Sequence, residues 1–382
     1  MTWTFKRVFY GRGEGLNLQA IRDFLYRGYY YIPHTLLEGY HRAVYRVGEH
    51  DSIYGRIEKP FPDALIAQKP QGKFALHLSG GFDSAILAKL YDGPDADFIH
   101  ATGPESRKAR ALASELKGTL HEYTVTPEAF ITAADELIPL MAEPYPFDDV
   151  VFSYLASKKA KQLGHNLIVA GDGGDSILGG FHIGPYSNKA VCAWKTIEPS
   201  RLLGLDTLQP FMHTALYAWS KATLGPREVG VDKMFARRYC KELGMPDEVI
   251  SQRKGAWGGS LGITNTKAVT THMKTVVDNS DYRWIREFRF PSKPRPDLLF
   301  RQYGLTKWLR VNYKERLDGA ELSGLLEKVR ALNKLTKRQI AREFAEQLRP
   351  PAVARVIRRF TYRRARRRTE LEPQKIAPGR GA

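Results

Sequence analysis

The sequence predicts an α/β fold: a doubly wound parallel sheet followed by a helical C-terminal part. Between Phe74 and Ala170, short apolar runs alternate with segments of helical periodicity. That alternation is the mark of parallel strands joined by right-handed helical crossovers. Two of the runs, Phe74–Leu78 and Asn166–Ala170, lead straight into glycine-rich turns, SGGFDS and GDGGDS. Sheets of this class bind ligands beyond the carboxyl ends of their strands, which is where such turns sit.

Each element follows from its own pattern. Phe74–Leu78 (FALHL) is a near-continuous apolar run, as expected for a strand covered on both faces. Ser79, Gly80 and Gly81 turn the chain, and Phe82, Asp83 and Ser84 open a helix with Ile86, Leu87 and Leu90 at helical spacing. Asp97–Ala101 and Leu120–Val125 read as further strands, with Ser106–Leu116 and Val151–Gln162 as helices between them. Upstream, residues 1–70 form an aromatic, basic lead-in. There Leu16, Ile21, Phe24 and Leu25 predict a short amphipathic helix ending near Gly28, and the tyrosines of Tyr26–Tyr31 fit either core packing or a stacking surface. Residues 71–316 read as the main domain and 317–382 as a basic helical extension with a disordered end. In that extension Leu325, Val329 and Leu332 lie on one stripe. Beyond Pro350-Pro351, Val353, Val356, Ile357 and Phe360 recur at i, i+3, i+4, i+7 among the arginines of Ala352–Arg368.

Composition narrows the function. A formal net charge of +18 favours anionic partners, and two cysteines in 382 residues exclude a disulfide framework and a cysteine-built zinc site. The cysteine usage fits a reducing cytoplasm. No N-terminal signal segment is evident, and no apolar run approaches the ~20 residues that span a bilayer.

The chemistry lies in the two turns. In SGGFDS, glycines let backbone N–H groups approach an anion, and the helix start adds unpaired N–H groups and the positive end of the dipole. The loop has neither the Gly-Lys-Ser/Thr of a Walker A loop nor the dinucleotide fingerprint. Asp83, beside phosphates, suits Mg²⁺. Alone, the stretch also fits a tight strand-to-helix turn capped by Ser or Asp. In the second turn, Asp172 and Asp175 flank Gly173-Gly174. That turn alone fits a Ca²⁺ loop or a plain turn, although it lacks EF-hand spacing. On neighbouring strands the two turns would face one nucleotide.

SGGFDS resembles the pyrophosphate loop of enzymes that split ATP into AMP and pyrophosphate. Together with Gly171–Gly180, it makes the chain similar to the synthetase domain of the asparagine synthetase-like family, of the adenine nucleotide alpha hydrolase-like (PP-loop) type. Asp23–Tyr40, Glu143–Gly164, Pro226–Pro246 (with Arg227 and Asp232 in register), Gln252–Gly259 and Phe300–Tyr313 resemble further family segments more weakly. The resemblance spans about residues 15 to 315. It implies ATP and Mg²⁺ as cofactors and a reaction in which a substrate carboxylate attacks the α-phosphorus of ATP, after which ammonia or an amine captures the acyl-adenylate as an amide. It implies Asp83 and Asp175 as Mg²⁺ ligands and Ser79, Gly80, Gly81, Ser84 and Gly171 as nucleotide-binding. Lys254 is implied to neutralise the α-phosphorus in flight, and Asp172 to assist the amine's attack; the plainer alternatives are a solvated lysine and a turn residue. Glu143 and Asp148 are secondary candidates.

There are departures. Ser176 stands where the family has Glu, and the Pro-Phe of the Arg-Val-Pro-Phe segment is missing. The chain begins Met-Thr with no cysteine before Cys192, so no glutaminase activity of the N-terminal-cysteine kind is expected. Nitrogen would then come from free ammonia, a separate glutaminase, or an amine in the substrate. The carboxylate partner is a small molecule or a peptide, its pocket shaped by loops such as Ile183–Thr207. The arginine-rich helix would bind a polyanion or a partner protein. Two other readings compete: a PP-loop enzyme adenylating a nucleic-acid base, which the GDGGD loop disfavours, and a binding protein with a dead nucleotide site, which intact Asp83, Asp175 and Lys254 disfavour.

Overall fold

The computed structural model describes residues 15–27, 36–37, 61–179, 191–224, 233–251, 262–288, 297–313 and 319–333. All of these belong to one compact unit spanning 1–333. The tyrosine cluster beyond Arg27, Arg227, Asp232, Lys254, Gly180 and the basic segment Ala352–Arg368 lie outside the described residues.

In chain order the principal elements are α1 Leu18–Arg27, β1 Phe74–His77, α2 Phe82–Leu90, β2 Ala96–Ala101, α3 Ser106–Ala113, β3 Thr119–Tyr123, α4 Pro127–Leu137 and α5 Asp149–Gln162. There follow β4 Leu167–Val169, α6 Gly174–Ile177, α7 Val191–Leu202, β5 Asp206–Leu208, α8 Thr214–Thr223, α9 Met234–Glu242, α10 Lys267–Asp278, α11 Leu298–Asn312 and α12 Gly319–Asn333. The strands form one all-parallel sheet in the order β3-β2-β1-β4-β5. β5 is not signalled by the sequence. It has three residues, the first of them exposed, so it shows neither an apolar run nor a period.

The sheet is covered on both faces, as its apolar strands require. Phe74, Leu76 and Phe98 point to one side and pack with Ile86 and Leu87 of α2 and Leu112 of α3. Their neighbours Ala75, Ile99 and Ile168 point to the other side and meet Ala156 and Ala160 of α5. A second apolar body is built from α1, α4, α10, α11 and α12. Leu16, Ile21, Phe24 and Leu25 of the expected amphipathic helix are all buried there, and so is Val329 of α12. No helix among the described residues is long and apolar enough to cross a membrane.

This topology fixes the site. From β1 the chain builds outward through β2 to β3, then crosses back to lay β4 on the other side of β1. The order reverses between β1 and β4, and a crevice opens at such a switch point. The two glycine-rich turns leave those two strands.

Candidate functional site

The first wall of the crevice is the turn after β1. Gly80 adopts φ +82°, and a Cβ there would come within 2.8 Å of the Glu105 Cβ, so glycine is required on both counts. Gly81 caps α2 with no side-chain hydrogen bond, and Ala85 N donates to Gly81 O at 3.0 Å. The turn is held from inside by hydroxyls. Ser84 Oγ donates to Gly81 O at 3.1 Å and receives Ser79 N at 3.1 Å, while the Ser79 and Ser84 hydroxyls lie 3.0 Å apart.

A histidine braces the turn from behind. His100, fully buried at the end of β2, places Nδ1 2.7 Å from Leu78 O and Nε2 3.0 Å from Ser106 Oγ. A carbonyl only accepts, so Nδ1 carries the proton, and Nε2 accepts from the serine hydroxyl. Burial lowers the pKa of His100, which agrees with that neutral tautomer.

The second wall is the turn after β4, and it touches the first. A Cβ on Gly171 would lie 3.2 Å from Asp83 Cβ and 3.2 Å from Ser84 N. A Cβ on Gly174 would lie 2.5 Å from Asp83 Cγ, a distance no side chain tolerates. Gly173 turns the chain at φ +86°. The glycines of GDGGD therefore do more than bend the loop: they let its backbone lie directly on the Asp83 side chain.

Asp83 and Asp175 converge on one cation, Lys233. Its Nζ is 2.6 Å from both carboxylate oxygens of Asp83 and 2.7 Å from Asp175 Oδ1. Lys233 is only 3 % exposed, although it carries a charge. Burial opposes that charge, but the carboxylates of Asp83 and Asp175 outweigh it and hold the pKa above the ordinary lysine value. Lys233 is also the one non-glycine residue with positive φ among the described residues, at φ +44°. Such backbone costs about 1–3 kcal/mol and persists where its surroundings enforce it.

The donor set suits Mg²⁺. Two carboxylates from two loops meet at one cationic position, offering hard oxygen ligands. Among the described residues no group of three or more His, Cys, Asp or Glu side chains forms a complete metal cage. Mg²⁺ is commonly held by one or two carboxylates with substrate phosphates completing its shell.

Asp172 sits in an adjoining buried network. Gln209 Nε2 donates to its Oδ2 at 2.8 Å, and Lys195 Nζ lies 3.2 Å from its Oδ1 and 3.3 Å from Asp149 Oδ2. Burial raises the Asp172 pKa, with Lys195 and a Thr196 hydrogen bond acting against it. At the end of β1, burial and then the Lys195 charge push His77 down to about 3, so this histidine is neutral.

Asp148, at the start of α5, is strained electrostatically. Burial and then the neighbouring Asp149 charge push its carboxyl up to about 6, against a hydrogen bond from Thr264 Oγ1 at 2.9 Å. The folded value exceeds the unfolded 3.8, so the folded chain holds this proton more tightly. Ionised Asp148 therefore detracts from stability above about pH 6, and the penalty fades below about pH 4. Asp148→Asn is expected to raise Tm near pH 7.5 and leave it unchanged near pH 4. Equal melting of variant and wild type at both pH values would reject the assignment.

The structure thus brings together Ser79, Gly80, Gly81, Asp83, Ser84, Gly171 and Asp175, with Asp172 beside them. Lys254 lies outside the described residues. Sequence reasoning missed Lys233, Lys195, Gln209 and His100. Lys233 had the nearest signal, since it directly follows Asp232 in a segment already singled out.

Residues 66–229 match the asparagine synthase family model. A glutamine-hydrolysing asparagine synthetase of Brassica oleracea is 30% identical over 267 residues, which is 58% of this chain and 45% of that one. That of Sandersonia aurantiaca is 29% identical over 200 residues, 41% of this chain and 36% of that one. A Saccharomyces cerevisiae homologue is 26% identical over 284 residues, covering 55% and 48%. The chain spans less than half the length of these curated relatives.

Proposed function

We propose, from an asparagine synthase-type domain at residues 66–229, that this chain forms an amide bond at the expense of ATP through an acyl-adenylate. The observation that carries the reading is the meeting of Asp83 and Asp175, from the turns after β1 and β4, at one cation position in the switch-point crevice. A substrate carboxylate oxygen attacks the α-phosphorus, the bond from that phosphorus to the bridging oxygen breaks, and pyrophosphate leaves. An amine or ammonia then attacks the acyl carbon, loses a proton, and AMP leaves.

The chain's residues take parts in both steps. The turn after β1 and the start of α2 would receive the phosphate oxygens, whose charge grows as pyrophosphate departs, while Ser79 N and Gly81 N brace the turn through Ser84 Oγ and Ser79 Oγ. Asp83 and Asp175 would hold Mg²⁺, which neutralises phosphate charge when bound. Lys254 is assigned to the α-phosphorus. Asp172 is the proposed acceptor of the amine's proton: burial raises its pKa, while Lys195 and Gln209 each engage one of its oxygens. The carboxylate substrate and the nitrogen source, whether ammonia, a substrate amine or a separate glutaminase, remain within that class.

The experiment is to incubate the protein with ATP, Mg²⁺ and a panel of small carboxylates and carboxyl-bearing peptides, with ammonia or an amine present. AMP and pyrophosphate formed in step with an amide are the expected products. ADP and phosphate, or AMP formed only with nucleic acid present, would overturn the reading.

A further inference from the structure

We infer that Lys233 is a resident counter-ion that makes divalent-metal occupancy of the Asp83/Asp175 position conditional on the nucleotide. The inference rests on the ATP reading for its nucleotide arm alone.

The ammonium of Lys233 engages the carboxylate oxygens that would hold a metal, 2.6 Å from both Asp83 oxygens and 2.7 Å from Asp175 Oδ1. Mg²⁺ sits about 2.0–2.1 Å from its ligands, so ion and ammonium compete for the same oxygens. In the absence of nucleotide, a divalent ion joining this trio would face a buried positive charge at contact range, where repulsion is least screened. Lys233 is buried and its ammonium is engaged by both carboxylates, so a metal that takes their oxygens leaves a buried charge to be re-paired. It needs another anion inside the crevice. The phosphates of ATP supply that anion and several negative charges besides, so lysine and metal are then accommodated together. Counted over these three side chains, two carboxylates and one ammonium sum to −1, and a divalent ion turns the trio to +1. With the lysine replaced by a neutral residue, the same ion would bring the two carboxylates to zero.

The test uses Mn²⁺ as the probe, its free aquo ion counted by electron paramagnetic resonance, with and without α,β-methylene-ATP, the Mn²⁺ bound by the analogue alone being measured in protein-free solution and subtracted. Wild type is compared with Lys233→Gln, which keeps N–H donors towards the carboxylates, and with Lys233→Met. Without nucleotide, both variants are expected to bind Mn²⁺ at least about tenfold more tightly than wild type. The analogue should tighten Mn²⁺ binding at least about tenfold in wild type and less than about threefold in the variants. Adding Asp83→Asn to Lys233→Gln should abolish the gained binding, locating it at this position.

Equal or weaker nucleotide-free affinity in the variants overturns the inference, as does Mn²⁺ binding that survives Asp83→Asn. Should both variants fail to fold, wild type still decides, because an analogue that leaves its Mn²⁺ affinity unchanged overturns the inference. Wild type that does not bind the analogue at all refutes the ATP reading instead, and the nucleotide-free comparison still stands.

Discussion

Asp83→Asn is expected to lower ATP–pyrophosphate exchange by at least about a hundredfold, equivalent to about 2.7 kcal/mol of transition-state stabilisation, and Asp175→Asn to do the same. Each carboxylate reaches the shared cation position from a different loop, so neither replaces the other. Both variants should nonetheless fold. Lys233 lies between two carboxylates, and neutralising one leaves its ammonium paired with the other rather than orphaned. Asparagine also keeps an oxygen where the carboxylate had one. Circular dichroism and melting curves close to wild type, together with lost exchange, are the expected pair of results. Exchange within about threefold of wild type in either variant, which is under about 0.7 kcal/mol, would remove that carboxylate from the site.

Much of this arrangement is legible in the chain, for reasons that can be named. SGGFDS and GDGGDS announce themselves because their glycines answer local constraints: a positive φ at Gly80 and Gly173, and backbone lying against Asp83 at Gly171 and Gly174. The strands β1, β2 and β4 are legible because they are largely buried and burial on both faces favours apolar runs, whereas β3, exposed or half-buried along its length, shows only through its place in the alternation. That β4 lies beside β1 is a matter of topology, and the parallel rule makes it expected without making it certain. What is not legible is what depends on distant partners. Lys233 acquires its meaning from Asp83, 150 positions earlier in the chain. His100 is a lone histidine in a strand, indistinguishable in sequence from an ordinary core residue until its ring is seen against Leu78 O and Ser106. β5 is too short to carry any pattern.

The largest effect on stability is expected at Arg301, in α11. The side chain is fully buried, yet it is an arginine. Its Nη1 donates to Leu25 O at 3.0 Å and Tyr26 O at 3.2 Å, the last turn of α1. Its Nε donates to Pro146 O at 3.3 Å, its Nη2 to Asp297 Oδ2 at 2.5 Å, and its guanidinium lies 5.6 Å from the centre of the Phe147 ring. One planar fork therefore ties the lead-in helix, the turn before α5 and the start of α11 together. It also places a positive charge at a helix C-terminus, where the dipole favours it. Arg301→Met fills much of the volume but removes the donors to Leu25 O, Tyr26 O and Pro146 O. Breaking a buried, hydrogen-bonded ion pair costs about 3–5 kcal/mol, and the lower end applies here because Asp297 is partly exposed and can regain water. A loss of about 3 kcal/mol should lower Tm by roughly 5 °C or more. Arg301→Lys keeps the charge but not the fork, so most of the loss should persist. Arg301→Met melting within about one degree of wild type would show that the clamp is idle, and full recovery by lysine would show that charge alone mattered.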